Sequence, residues 1–215
     1  MRFIKSIIKK IVEFRRKRHL IRLRKRLKNP SPTIIADTCF GGVVYHNLGL
    51  KFTSPTINMW VEKSDYFDFL EDLRGFLSVD MTEVTDSGYS YPVGDLSYNG
   101  KTVRFYGNHY KTFDEFRQKW NERKERVDYG NIFIVMLNAD ITPEEIERFD
   151  RLPYENKLMI TKECGIERPY LVHHKLFYSP SYVAGDLMGY KSRFSAKRHM
   201  DDIDYVGFLN KKRIK

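Results

Sequence analysis

Cys39 and His109 are the residues whose types and positions favour chemistry most in this chain. Cys39 follows a short apolar, β-branched segment, 33–37, and stands directly before Gly41 and Gly42. Backbone N–H groups at such glycines approach a phosphate or an oxyanion closely, and they lower the pKa of a neighbouring thiol. His109 falls in a predicted strand-to-helix turn, where it would serve as general base. The pattern predicts a nucleophilic thiol with a histidine base; a small buried cysteine and a turn-ordering histidine are the structural alternatives.

Further polar and aromatic side chains have the chemistry of a substrate site. Trp120, Arg123 and Arg126 recur every third residue along one predicted helix, so they lie on neighbouring parts of its surface. Two guanidinium groups beside an indole suit a sugar nucleotide, a lipid diphosphate or the phosphates of an acyl carrier; a core tryptophan with solvated arginines is the alternative. Around the thiol we expect ligand contacts from Asp37, Thr38, Gly41, Gly42, Tyr45, Ser54 and Asn58.

No metal site is expected. His173 and His174 are neighbours on a predicted strand and point to opposite sides. The acidic run 201–204 lies outside any clear strand end, so it is interpreted as solvated surface. A P-loop, a complete dinucleotide fingerprint and the Gly-x-Ser-x-Gly nucleophile motif are all absent from the sequence.

The elements that must position these residues alternate between strands and helices. Apolar runs predict buried strands at 33–37, 131–137 and 157–161, with 170–174 as a candidate for one more. Helix-capping residues open helices at 64, 112 and 142, and Asn99-Gly100 predicts a two-residue hairpin turn. The stretch 40–55 is interpreted as a glycine-spaced loop with room for a short helix. We expect an α/β fold: a three-layer, Rossmann-like, mostly parallel sheet with an inserted β-hairpin.

The positive charge of the chain is concentrated at its N-terminus. Residues 1–30 hold 13 Lys and Arg against the single Glu13, so the remaining 185 residues sum to −2 although the whole chain carries +10. The positive net charge of the chain therefore comes from an N-terminal arm, residues 1–30, and says little about the rest of the chain, which we call the body. We expect residues 1–30 to form a basic amphipathic helix, and residues 31–215 to form a single α/β domain of a size that suits one core.

The two faces of this arm are fully segregated on a helical wheel. The apolar face, which is predicted to contact a membrane, includes Phe3, Ile4, Ile7, Ile8 and Ile11, and the later Arg18 and Arg22 would meet anionic headgroups. Leu20, Leu23 and Leu27 fall on the opposite side and would face the protein body. Docking of the apolar half on the domain or on a partner subunit is the alternative. A nucleic-acid arm is less favoured, because the body supplies no continuing basic groove.

Composition also bears on the compartment. Cations interrupt the N-terminus too often for a signal peptide, and no stretch approaches the roughly 20 apolar residues of a spanning helix. Two cysteines without an export signal favour reduced thiols. We expect a cytoplasmic protein held peripherally on the inner face of the membrane.

Several motifs together resemble one bacterial family. They are the block 33–58, Tyr91-Pro-Val-Gly94, Asn108-His-Tyr110 with Trp120-Asn-Glu-Arg123, and Phe149-Asp-Arg-Leu-Pro-Tyr-Glu-Asn-Lys157. Their order and spacing over 33–161 are similar to the domain family of unknown function numbered nineteen-nineteen, whose members are commonly labelled exopolysaccharide or capsular polysaccharide biosynthesis proteins.

The resemblance implies a pathway, and the residues suggest a reaction. We expect a membrane-associated, acyl-type transferase acting on a glycan or lipid-linked glycan precursor, with an acyl donor such as coenzyme A as a candidate cofactor. A non-catalytic module that binds a polysaccharide intermediate or an assembly partner is the alternative. Neither the donor, the acceptor nor the oligomeric state follows from the sequence.

Overall fold

The computed structural model describes residues 2–179 and 181–211. In chain order its elements are α1 (Arg2–Arg26), β1 (Thr33–Ala36), α2 (Phe40–Leu48), β2 (Trp60–Val61), α3 (Lys63–Glu71), α4 (Leu73–Ser78), β3 (Thr82–Glu83), β4 (Val93–Tyr98), β5 (Lys101–Tyr106), α5 (Phe113–Lys124), β6 (Ile132–Leu137), α6 (Pro143–Arg151), β7 (Asn156–Thr161), β8 (Leu171–His173) and α7 (Tyr205–Leu209). Short 3₁₀ helices cover Lys175–Tyr178, Ala184–Met188 and His199–Asp202.

The apolar runs form a parallel sheet in the order β1-β6-β7-β8. Its central strands bury side chains on both faces, which explains why β6 is apolar at every position. The candidate strand at 170–174 is present as β8. The mixed α/β class is confirmed, whereas the Rossmann-like arrangement of layers stays a prediction.

The predicted hairpin belongs to a second, antiparallel sheet in the order β2-β5-β4-β3. Asn99 and Gly100 have φ values of 48° and 75°, as the two-residue turn requires. Thr112 and Thr142 cap α5 and α6 by accepting hydrogen bonds from the N–H groups of Glu115 and Glu145. These caps and the hairpin turn agree with the sequence interpretation.

Two hydrophobic clusters cover the two faces of the parallel sheet. One face, with Ile35 and Ile134, packs against α3–α6 and the antiparallel sheet. The other face, with Ile34 and Phe133, packs against α1, α2 and α7. The chain therefore leaves β1 toward one face, through α2, and leaves the adjacent β6 toward the other face, through α6. Adjacent strands that diverge in this way open a crevice at their carboxyl ends.

The N-terminal helix α1 is fastened to the C-terminal segment. Leu23 is buried, and Leu20 and Leu27 pack beside it, as the helical wheel predicts. Arg16 forms an ion pair with Asp201, whose side chain is fully buried. The interpretation of 201–204 as a solvated acidic run is therefore wrong for Asp201, because this carboxylate pairs with an arginine that is itself buried when α1 docks.

Candidate functional site

The carboxyl edge of β1 and β6, where the topology predicts a crevice, holds a buried acid. Asp37 directly follows β1, is 5% exposed, and its Oδ2 accepts a hydrogen bond of 2.9 Å from the N–H of Leu137 at the end of β6. Burial raises the pKa of this carboxyl to about 8, although the hydrogen bonds from Leu137 and Thr38 oppose the shift. Asp37 is thus largely a neutral acid near pH 7, close enough to its pKa to give or take a proton.

Three buried oxygens at this edge have no hydrogen-bond partner among the described residues. They are Oδ1 of Asp37, Oγ1 of Thr161 at the end of β7, and the hydroxyl of Tyr182. Burial raises the pKa of Tyr182, and the charge of Asp37 adds to that shift, so these two groups are within electrostatic reach. Buried polar atoms are nearly always paired, so this group of unpaired oxygens suits polar contacts with a ligand.

The glycine stretch after Cys39 is helical and forms the short helix for which the sequence left room within 40–55. Cys39 occupies the N-cap position of α2, and Gly41 and Gly42 form its first turn, where helix N–H groups lack intrahelical partners. A Cβ at Gly41 would lie 3.3 Å from the Cβ of Ala36, so glycine lets α2 approach β1 closely. Both glycines are buried, and any ligand contact from them would be through the backbone.

The geometry gives the predicted Cys39–His109 pair no direct link. Cys39 is partly buried, its Sγ lies 4.0 Å from the carbonyl oxygen of Met59, and burial raises its thiol pKa, which disfavours the thiolate. His109 is exposed in the turn between β5 and α5. No hydrogen bond joins the two in the part of the chain that the structure describes, so their catalytic pairing stays a prediction.

The predicted indole–guanidinium site on α5 is wrong for Trp120. This side chain is fully buried against Phe69 and Phe105, because its helix face packs on the antiparallel sheet. Arg123 is also buried and donates hydrogen bonds to the carbonyl oxygen of Ile57 and the hydroxyl of Tyr110.

Arg126 lies in the turn just after α5, with 3.9 Å between its guanidinium and the carboxylate of Glu122. Arg126 also donates a hydrogen bond to the carbonyl oxygen of Phe52. Arg123 and Arg126 therefore brace the 50–58 loop. The buried Arg123 is not placed to hold a phosphate, whereas the phosphate contact of the partly exposed Arg126 stays a prediction.

Two other predicted contacts are structural. Tyr45 is fully buried, and its hydroxyl accepts a hydrogen bond from the N–H of Ile34 and donates one to the carbonyl oxygen of Pro32. Ser54 is fully buried and bonds to Thr56 in the same loop. The predictions for Tyr45 and Ser54 are therefore wrong, because both side chains hold the loop against β1. Thr38 and Asn58 are partly exposed, and their ligand contacts stay a prediction.

An aromatic surface beside the crevice was missed by the sequence reasoning. Trp60 and Tyr106 stack with their centroids 3.8 Å apart, and Tyr89 packs on both rings and on Tyr91. Tyr89 is exposed and the other three are partly exposed. The N–H of Val61 donates to the carbonyl oxygen of Asp37, so the backbone of β2, which carries Trp60, meets the chain where β1 ends.

We call Trp60, Tyr89, Tyr91 and Tyr106 the aromatic cluster. The sequence contained one indication of this cluster: Tyr91 lies in one of the motifs that resemble the family, and Trp60 comes shortly after the block 33–58.

A cluster of possible metal-binding atoms lies at the end of β8. Glu163, Glu167 and His173 hold ligand atoms within 4.8 Å of one another. Nδ1 of His173 is 3.1 Å from the carbonyl oxygen of Lys162, which orients the ring as in many metal sites. Two of the three ligands are exposed carboxylates, and a closed structural zinc site takes four ligands, so the cluster is more typical of a surface ion-pair group.

The outer face of α1 is apolar and exposed. Ile7, Ile11 and Phe14 are 42%, 51% and 60% exposed. Arg18 and Arg22 are exposed on the same side, Ile8 is partly exposed, and the side chains of Phe3 and Ile4 lie outside the described part. Among the residues searched, no helix has the length and apolarity needed to cross a bilayer.

Comparison with known proteins identifies the family. A domain of unknown function, DUF1919, matches residues 10–210. The chain belongs to this family. An uncharacterized protein of Haemophilus influenzae is 30% identical over 193 residues, which cover 87% of this chain and 88% of that protein. The matched region includes most of α1 and the C-terminal segment on which it docks, so both belong to the family domain. The polysaccharide association stays a prediction.

Proposed function

We propose that this protein takes part in assembling a bacterial surface polysaccharide, binding a glycan precursor at the aromatic cluster beside Asp37. The single observation that carries the proposal is the partly exposed stack of Tyr106 and Trp60, the latter on the strand whose Val61 N–H bonds to the backbone of Asp37. Aromatic rings pack on the apolar C–H faces of sugar rings, and a polar crevice beside them supplies hydrogen bonds to hydroxyl groups. Thr38 and Asn58 would add such contacts.

In the catalytic form of this proposal the protein is an acyl-type transferase. A group with a pKa near 8 is well matched to proton transfer near neutral pH, so the ionised fraction of Asp37 would take the proton from the attacking sugar hydroxyl. The first turn of α2 would face the negative charge that develops on the acyl group. A thioester such as an acyl-coenzyme A is the donor that suits this chemistry. Its C–S bond would break as the new C–O ester bond forms, and the departing thiolate would take the proton back from Asp37. The carboxyl edge of the parallel sheet is where such a donor would bind.

A chromosomal replacement experiment tests the catalytic form. Asp37→Asn, Cys39→Ala and His109→Ala are introduced singly into the native gene, and the acyl content of the purified surface polysaccharide is measured. We expect Asp37→Asn to abolish the modification. Loss in Cys39→Ala and His109→Ala, with full activity in Asp37→Asn, would overturn the role of Asp37 in favour of a thiol mechanism.

A second candidate is a non-catalytic glycan-binding module of the same machinery. It is favoured by the raised pKa of the Cys39 thiol and by the lack of a hydrogen bond from His109 to it among the described residues. In that case all three variants would leave the composition of the polysaccharide unchanged, whereas loss of the aromatic cluster would lower its yield.

We further propose that α1 holds the protein on the inner face of the membrane. Ile7, Ile11 and Phe14 would insert below the headgroups, and the cations of the helix would meet anionic lipids at about 1 kcal/mol each. The triple variant Ile7→Ser, Ile11→Ser and Phe14→Ser changes only exposed positions. We expect it to lose flotation with anionic vesicles while unfolding at the same temperature; unchanged flotation would contradict membrane insertion.

A further inference from the structure

A basic cleft lies between α1 and the segment 195–197. Its volume is about 410 Å³, and the side chains that line it include four cations and an imidazole but no carboxylate. The lining residues are Arg15, Arg18, His19, Arg22, Ser195, Ala196 and Lys197. We call this the basic cleft. A concave surface lined by one sign of charge concentrates the opposite charge, so the cleft favours a compact anion.

The cations that line the basic cleft differ in their contacts from those that fasten α1 to the body. Arg16 and Arg26 pair with Asp201 and Asp204, and Arg24 donates a hydrogen bond to the carbonyl oxygen of Asn47. These three fasten the helix to the body. In contrast, no ion pair within residues 2–179 and 181–211 involves the four cations of the basic cleft, which are Arg15, Arg18, Arg22 and Lys197. Their charge is available to a ligand.

Apolar side chains flank the basic cleft. The guanidinium of Arg18 lies 5.8 Å from the centre of the Phe14 ring, which begins the exposed stripe that continues through Ile11 and Ile7. Next to the segment 195–197, Phe194 is half exposed, and the guanidinium of Arg193 lies 4.5 Å from the centre of its ring. An anion site bordered by exposed apolar side chains matches an amphiphile, with its phosphate in the cleft and its hydrocarbon along the stripe.

We propose that the basic cleft binds the phosphate group of an anionic membrane lipid. The proposal rests on the membrane attachment of α1 and adds to it a defined headgroup site, built with the C-terminal segment. A phosphate monoester offers three acceptor oxygens and up to two negative charges to the cations of the cleft, whereas a carboxylate offers two oxygens and one charge, so the site distinguishes phosphate from a carboxylate. Diffuse electrostatic attraction to a charged surface does not make this distinction.

The test uses this difference and the full-length protein. Phosphatidylcholine vesicles are prepared with phosphatidic acid, or with cholesteryl hemisuccinate to the same zeta potential, and binding is measured by flotation. We expect the wild type to favour the phosphatidic acid vesicles by about tenfold. The cleft variant Arg18→Gln, Arg22→Gln, Lys197→Gln loses this preference.

A matched control removes the same charge from α1 outside the basic cleft: Lys10→Gln, Lys17→Gln and Lys25→Gln. We expect weaker binding overall but an unchanged preference for phosphatidic acid. Equal binding of wild type to both vesicles would overturn the proposal. So would a preference that survives in the cleft variant.

Two further arms identify the source of the phosphate. Glycerol 3-phosphate in solution should not release the protein from phosphatidic acid vesicles; release would make the ligand a soluble phosphate and overturn the lipid assignment. Duplex DNA that binds equally well to the triple serine variant of the apolar stripe would assign the cleft to nucleic acid instead. The serine variant also keeps the two proposals apart. If it loses flotation while the wild type binds both anionic vesicles equally, the lipid site in the basic cleft is refuted and membrane attachment by α1 is retained.

Discussion

Replacing Asp37 by Asn should change the pH dependence of stability, because the buried carboxyl is held neutral in the folded chain. Its folded pKa of about 8 lies above the ordinary value of 3.8, so the folded state binds more protons than the unfolded state between these values. Stability contributed by this group is therefore lost as pH rises through that window and is constant above it. The amide introduced by Asp37→Asn does not ionise, and its oxygen still accepts the hydrogen bond from Leu137.

The size of the effect follows from the window. At 1.36 kcal/mol per pKa unit, the interval from 3.8 to pH 7 corresponds to about 4 kcal/mol, as an order of magnitude and an upper bound. Asp37→Asn should thus be close to neutral near pH 4 and should raise the free energy of unfolding by up to that amount near pH 7. The change of the stability difference with pH is a better test than its size at one pH, because desolvation of the new amide shifts the stability by the same amount at all pH values.

Urea unfolding of both proteins between about pH 5 and about pH 8 measures this slope. Asp140→Asn is the matched control: that carboxyl is fully exposed and the Lys162 ammonium lowers its pKa below 3.8, so no pH dependence arises in this range. A stability difference for Asp37→Asn that is independent of pH, or that falls as pH rises, would refute the neutral acid and with it the proposed proton transfer.

Three further predictions concern packing. Trp120→Ala should lower the free energy of unfolding by about 3–5 kcal/mol, since this fully buried ring lies in the core, whereas a solvated ligand contact would cost far less in urea unfolding. Arg16→Met should cost about 3–5 kcal/mol by leaving the Asp201 carboxylate buried without its partner, and limited proteolysis should then cleave within α1; Arg16→Met, Asp201→Leu should recover much of the loss. Gly75→Ala should cost about 1–3 kcal/mol by calorimetry, because its Cβ would lie 2.1 Å from the ring of Tyr98; an unchanged melting temperature would contradict the close packing.

Local signals in the sequence predicted much of the fold. The apolar runs of β1, β6 and β7 indicated these strands, and Thr112, Thr142 and Asn99-Gly100 carry their own capping and turn chemistry. The helix α2 was less visible because Gly41 and Gly42 have low helix propensity. Close packing on Ala36 outweighs that propensity, and such a tertiary contact does not appear in a local pattern.

The candidate site was only partly predictable for the same reason. Asp37, Thr38 and Asn58 lie near the crevice as expected, since residues that end a buried strand meet at one sheet edge. Helical spacing could not distinguish a buried face of α5 from an exposed one, which is why Trp120 was misassigned. The aromatic cluster joins two strands and a loop far apart in the chain, and the pairing of β2 with β5 that assembles it is not encoded in spacing.

The most direct test of the account is oligosaccharide binding to the aromatic cluster, measured by calorimetry with fragments of the native surface polysaccharide. The account predicts binding that Tyr89→Ala and Trp60→Ala each weaken by about tenfold, and that Tyr129→Ala, an exposed tyrosine outside the cluster, leaves unchanged. Absence of binding by the folded wild type, or equal affinities in all three variants, would contradict it.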